Sequence, residues 1–427
     1  MLLEFKIKNY KSFKDEAILS LVPAPKQKDL EYSVLSKTIQ NKEYKALATT
    51  VIYGPNAAGK SNIIGAIETL INLINTGNIR NKEKGRPANI AASFLEYIPH
   101  KDLKEKAPVE FSITFIVDDK HITYTLSVDL GRFFETNAAR KVLKEQLMVN
   151  GKVEFNRTYN KLTFGTYKGE NNKITELLEN NLNDEELFLT NGYKNLINNV
   201  LINEMTNYLN NNLKVIYRAD TLNVQAKIND TNKNAIIDTE LSKIATEIGA
   251  FDSKVGFVAK DHENAGDLSV FLPLSDVHPP LSIPINHFES LGTIRFLNLY
   301  PLIKQTLLNG GVLIIDEFDA SIHPMVLLDI VNIFHNDEIN KAKAQLIFNT
   351  HNPIFLNAAM LRRDEIKFVE KNENGSTIYA LSDFKTSGTG GVRKTDDYMK
   401  HYFINKYGAI LNVELSEYFA NDEKKTH

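Results

Sequence analysis

Residues 51–62 read VIYGPNAAGKSN, and this stretch limits what the chain can become more than any other. Gly54, Gly59, Lys60 and Ser61 fit the pattern G-x-x-x-x-G-K-[ST], with Pro55, Asn56, Ala57 and Ala58 between the glycines and Asn62 following. A chance match is expected in on the order of one per cent of chains this long. Val51, Ile52 and Tyr53 form a short apolar strand before the loop. Ile63, Ile64, Ile67, Leu70, Ile71 and Ile74 recur at helical spacing after it. Strand, loop and helix in that order let backbone N–H groups turn inward around a phosphate while the new helix aims its positive end at the same point. Lys60 can then reach the β- and γ-phosphates, and the Ser61 hydroxyl can serve Mg²⁺. The implied ligands are ATP and Mg²⁺.

A second group of residues lies far along the chain. The run VLIIDEFDASIHP, residues 312–324, is an apolar strand that delivers Asp316 and Glu317 at its end. Adjacent acids there can divide two tasks, Asp316 toward the metal and Glu317 as general base for the attacking water. QLIFNT ends at His351, a strand-end position suited to a γ-phosphate contact, with Asn352 and Pro353 as cap and first turn of a further helix. HFESLGTIRFL places Ser290 and Gly292 at the start of an apolar helix that continues through Pro301 to about Leu308. A hydroxyl and a bare glycine backbone at a helix N-terminus form an anion site. The chain already has a loop for its own phosphates, so this second site suggests that it caps a nucleotide held by another copy.

With these residues in hand, the chain resembles the ABC-type ATPase heads of the SMC, RecF and RecN group. GPNAAGKS resembles Walker A, ESLGT the signature, VLIIDE Walker B, DASIHP the D-loop and NTH the switch-histidine segment. LEFKIKNYKSF, SLGT and DDYMKHYFINKYGAI resemble most the arm-less ATPases of bacterial defence loci, the RloA-like and AriA-like proteins. The resemblance implies an ATP-sandwiched homodimer or higher oligomer and a separate nuclease or toxin effector. Glu289 stands where the signature has a leading leucine, and the glutamine loop has only Gln146 and the segment around Asn191 as candidates.

Elsewhere the period of the sequence sets the expectations. LEFKIKN and EAILSLV read as strands, 109–128 as a hairpin around Asp118-Asp119, and 141–157 as a second around Asn150-Gly151. IKFVEK and STIYALSDF should pair around Asn374-Gly375. Helical stripes run through Ile197, Leu201, Met205, Leu209 and Leu213 and through Ile237, Leu241, Ile244 and Ile248. The fold class is therefore α/β, an ABC-type P-loop ATPase head with a mixed sheet, an antiparallel β-subdomain and a helical insertion, without a long coiled-coil arm. Residues 1–170 form the first part of the head, 171–285 the insertion and 286–427 the second part.

The chain contains no cysteine, which excludes disulfides and thiolate sites. The N-terminus lacks the continuous apolar run of a signal peptide, no stretch is long enough to span a membrane, and a soluble cytoplasmic protein is expected. A formal charge of -3 supplies no global field for nucleic acid. Arg80, Lys82, Lys84 and Arg86 make a small basic loop, read as a solvated connection. TSGTGGVRK reads as a flexible linker, KTDDYMKHYFINKYG as an amphipathic segment packed on the head, and NDEKKTH as a disordered tail. The alternative function is a RecF-like DNA-repair ATPase that binds DNA directly, for which a salt-dependent gel shift is the test.

Overall fold

A computed structural model describes residues 1–25, 27, 30–81, 94–165, 172–217, 226–227, 236–249, 254–259, 265–272, 281–388 and 391–410. The chain opens with β1 (Leu2–Lys8), β2 (Ala17–Ser20) and the hairpin β3 (Val34–Ile39) and β4 (Lys42–Leu47), then β5 (Thr49–Tyr53) and α1 (Lys60–Thr76). A run of antiparallel strands follows: β6 (Val109–Val117), β7 (Lys120–Asp129), β8 (Lys141–Val149), β9 (Lys152–Thr158) and β10 (Lys161–Phe164). Next come α2 (Asn172–Asn180), α3 (Lys194–Leu196), α4 (Asn199–Asn207), β11 (Leu213–Ile216), β12 (Ala226–Lys227), β13 (Ile236–Ile237), α5 (Thr239–Glu247), β14 (Lys254–Ala259), β15 (Ala265–Leu272) and β16 (Leu281–Pro284). The last part holds α6 (Leu291–Asn309), β17 (Val312–Ile315), α7 (Pro324–His335), β18 (Gln345–Asn349), β19 (Ile366–Asn372), β20 (Gly375–Ala380) and α8 (Tyr398–Phe403).

Two large sheets result. The seven-stranded sheet, ordered β10-β9-β8-β7-β6-β1-β2, is antiparallel throughout. The six-stranded sheet, ordered β11-β17-β18-β5-β19-β20, is parallel except for its last strand. The expected mixed sheet and antiparallel β-subdomain are both present.

Helix α1 lies in the core that joins the sheets. Its Ile63, Ile64, Ile67 and Leu70 pack with Phe5 and Ile7 of β1 and with Phe111 and Ile113 of β6. Each fully buried Ile or Leu of such a stripe contributes about 1.5–3 kcal/mol. The opposite face of the parallel sheet carries a second core with α6 and α7. The pleat divides each strand between the two: Ile52, Ile314 and Ile347 point into the first core, and Val51, Leu313, Ile315, Leu346 and Phe348 into the second. A strand covered on both faces has no wet side, which is why VIY, VLII and LIF read as unbroken apolar runs.

The three expected hairpins form, the first two with the expected turns; in the third the turn is Glu373-Asn374, one residue earlier than expected, because Gly375 already pairs with Asn372. In the second, Asn150 and Gly151 both have positive φ, 50° and 78°, as a primed two-residue turn requires. The segment read as a helical insertion does hold α2 to α5, but it also carries strands. β11 lies inside it and forms the edge of the parallel sheet, while β12 to β16 make a small antiparallel sheet. Among the described residues the longest helix is α6, with 19 residues. The stripe from Ile197 to Leu213 is helical only in part, because the chain passes through a π turn at Tyr208–Asn212 and then extends into β11.

Other details differ from the sequence reading. Pro353 starts a single 3-10 turn, Pro353–Phe355, not a longer helix, since Leu356 leaves helical torsions with ψ 62°. The presumed linker is turned back on itself: Val392 is buried and donates its N–H to Lys385 O at 2.7 Å. The amphipathic segment packs on the head as expected, with Tyr398 and Tyr402 of α8 buried beside Tyr53 and Phe368. Arg80 of the basic loop is paired with Glu185 and Glu186, whereas Lys82, Lys84, Arg86 and the tail NDEKKTH lie outside the described residues.

Candidate nucleotide site

The site assembles where parallel strands end side by side. In the sheet order β17, β18 and β5 are neighbours, so Asp316 and Glu317 after β17, Asn349 at the end of β18 and Gly54 after β5 share one edge. Open parallel sheets form their ligand crevices at this edge.

The phosphate loop keeps its shape through close backbone contacts. A β-carbon at Gly54 would lie 2.3 Å from Val369 O on the neighbouring β19, so any other residue would push the loop off the sheet. Asn56 and Ala57 are exposed at the tip, and Ala57 adopts a left-handed φ of 61°. Underneath, Ser376 Oγ donates to Ala58 O, and Asn62 Nδ2 donates to Ser12 Oγ at 2.8 Å. Ser12 and Ser376 carried no sequence signal, because contacts spanning 50 and 318 residues leave no local pattern.

Lys60 is buried and donates to Gly54 O at 2.7 Å and Pro55 O at 3.1 Å. Ser61 Oγ donates to Asp316 Oδ1 at 2.8 Å. A hydroxyl and a single buried carboxylate in contact are a small donor set, and Mg²⁺ suits it, because that ion takes one or two protein oxygens and completes its shell with phosphate and water.

Asn349 organises the acids. Its side-chain Nδ2 donates to Asp316 Oδ1, and its Oδ1 accepts the Glu317 N–H at 2.6 Å. Glu317 has a left-handed φ of 55°, an unfavourable state for a residue with a β-carbon. Asn349 holds its N–H, and Arg295 Nη2 of α6 donates to its carbonyl at 2.8 Å. The exposed Glu317 carboxylate is thereby presented at the crevice mouth. The sequence reading assigned no role to Asn349 or Arg295. A polar residue ending an otherwise apolar strand was the one available signal for Asn349.

His351 is exposed and lies within electrostatic range of Lys60, Asp316, Glu317 and Asp319. Partial loss of hydration and the Lys60 cation hold its pKa below the ordinary imidazole value, against the pull of the three carboxylates. The neutral ring has one N–H to donate.

At the N-terminus of α6, Ser290 is the cap, accepting the Thr293 N–H at 3.2 Å, and it is exposed. A β-carbon at Gly292 would lie 2.1 Å from Ser321 O in the loop after Glu317. The glycine thus has a contact within its own chain, and the outward face of this turn belongs to Ser290 and Leu291.

Neither glutamine-loop candidate reaches the crevice. Gln146 sits in β8 between β7 and β9, and Asn191 Nδ2 donates to Gly77 O at 2.9 Å, at the opposite end of α1 from the phosphate loop. Leu187 N also donates to Gly77 O, at 2.9 Å, and Ile79 N to Glu185 O, at 2.9 Å. Among the described residues, no group of three or more His, Cys, Asp or Glu side chains could hold a metal by itself, and no helix is long and apolar enough to cross a membrane.

The family described as "AAA domain, putative AbiEii toxin, Type IV TA system" matches residues 49–357, a span that runs from β5 through His351. The chain belongs to this AAA family. Among solved structures it is similar to the SMC head domain from Thermotoga maritima, with 15% identity over 89% of this chain and 98% of that one and a TM-score of 0.36. No curated protein matches. The AAA assignment makes the protein a P-loop ATPase by type, and the matched span contains the loop and the acids described above.

One consequence for this AAA site concerns pH. Burial pushes the Lys60 ammonium down to about 8 from 10.5, against the opposing influence of Asp316, Glu317 and Asp319. A phosphate held by Lys60 would require the charged form and would raise this pKa in the complex. Affinity should therefore be full below about pH 8 and fall as pH rises beyond it, by up to about tenfold per unit. Titrations of ATP binding between about pH 7 and 9.5 check this, and affinity that stays flat across that range removes Lys60 as the titrating group.

Proposed function

We propose that the protein binds and hydrolyses Mg²⁺·ATP as a homodimer with two nucleotides between its copies, and that its nucleotide state controls a separate nuclease or toxin effector in anti-phage defence in the cytoplasm. The observation that carries the reading is the position of Ser290, exposed at the N-terminus of α6, a different helix from the α1 that follows the phosphate loop. Lys60, Ser61, Asp316, Glu317 and His351 gather around the phosphate loop, while Ser290 caps a different helix and faces outward.

In this reading the loop from Gly54 through Asn62 holds the β-phosphate on its N–H groups, and Lys60 neutralises the β- and γ-oxygens. Ser61 and Asp316 would hold the Mg²⁺, which when bound would supply charge neutralisation at the phosphate oxygens. Glu317 accepts the proton of the attacking water, and His351 donates its N–H to the γ-phosphate. Ser290 Oγ and the first turn of α6, with Gly292, complete the γ-phosphate site of the second copy. The family description, with its toxin and toxin–antitoxin terms, supports the defence context.

Mixing two inactive variants tests the shared site. Lys60→Ala keeps a sound signature helix and Ser290→Arg keeps a sound phosphate loop. Only the mixed dimer contains one complete site, so an equal mixture should recover about a quarter of wild-type ATPase activity through random exchange of two-fold partners. A mixture no more active than either variant alone would mean that each chain works on its own nucleotide. Loss of phage resistance on deleting the locus tests the defence role.

A further inference from the structure

Tyr53 ends β5 immediately before the phosphate loop and is fully buried, with Tyr402 and Phe368 rings 5.6 and 6.1 Å from its own. Phenylalanine would satisfy that packing. A hydroxyl in an apolar cluster costs free energy unless it is hydrogen-bonded, so its presence requires a partner. Tyr53 Oη donates to the carbonyl of Asn352 at 2.8 Å, and the backbone of Phe355, in the same segment, is a second partner. Asn352 is the residue after His351.

The position of this bond matters because regular pairing has just ended. The ladder between β18 and β5 closes at Asn349 opposite Ile52, and one further bond, Thr350 N to Ile52 O, is long at 3.3 Å. Beyond it, Asn352 N turns back to Thr350 Oγ1 at 2.9 Å and Ile354 N to Asn352 Oδ1 at 3.1 Å, both within the segment itself. The Tyr53 hydroxyl therefore ties the histidine segment back to the strand that carries the phosphate loop. We propose that Tyr53 is a positioning residue, whose hydroxyl fixes the distance between His351 and the phosphates held by Gly54–Ser61. Both ends of the bond lie next to groups that must meet the same triphosphate, and a misplacement of about 1 Å can cost 10²-fold in rate.

The proposal rests on His351 as a γ-phosphate contact, and the experiment separates the two. Tyr53→Phe, His351→Ala and the double variant are compared in the full chain. Tyr53→Phe should keep its melting temperature and ATP affinity while kcat falls about tenfold, and the imidazole limb of its pH–rate profile should move toward an ordinary histidine value. The double variant should be no slower than His351→Ala alone, because the hydroxyl has no task once the imidazole is gone. Additive losses in the double variant would overturn the proposal in favour of plain packing, as would a Tyr53→Phe enzyme with wild-type kcat and pH profile. If His351→Ala itself hydrolyses ATP normally, the reading of His351 fails and the positioning role fails with it.

Discussion

Glu317→Gln is expected to lower ATP turnover by about 10²–10⁴-fold while ATP still binds. The asymmetry follows from where the residue's contacts are. The Glu317 main chain is held by Asn349 and Arg295 through its N–H and carbonyl, and glutamine leaves both bonds intact. The side chain is exposed at the crevice mouth, so the amide replaces a base without disturbing packing. Asp316 keeps its bond to Ser61. Binding without turnover should also accumulate the closed dimer, visible as an ATP-dependent doubling of mass in light scattering. Wild-type hydrolysis by Glu317→Gln would remove the base assignment.

The second large effect is expected at Lys60. Lys60→Ala should weaken ATP binding by at least about 100-fold, since a phosphate-bound ammonium in a partly desolvated loop contributes several charge-assisted hydrogen bonds. Its folding should suffer little, because the bonds lost in the free protein are to the Gly54 and Pro55 carbonyls at the loop. Calorimetric titration with ATP, alongside a melting curve, distinguishes loss of binding from loss of fold. Retained micromolar affinity would show that the backbone N–H cradle suffices on its own.

How much of this was readable in the sequence depends on the range of the causes. The phosphate loop, the apolar strands before Asp316 and His351, and the three hairpins rest on local patterns and all form, although β18 stops at Asn349, two residues short of His351, and the third turn is shifted by one residue. β11 escaped because four residues, LKVI, are too few to show a period within an asparagine-rich region. Its place in the sheet comes from pairing with Val312–Ile315, about a hundred residues on. Asn349 was visible only as a polar residue closing an apolar strand, since its bridging role requires β17 and β18 to be adjacent. Asn191 shows the converse. Its amide suggested a site residue, but the fold uses it to hold Gly77.

That last contact gives α1 two anchored ends. Its 17 residues form a rod about 25 Å long, with the Gly54–Gly59 loop at one tip and the 185–191 segment fastened to the other. A rod of that length works as a lever: a tilt of about 5° at the nucleotide end carries the far tip through about 2 Å. Because α1 is packed in the core with β1 and β6, a tilt of that kind at the loop would move those strands and the 185–191 segment together.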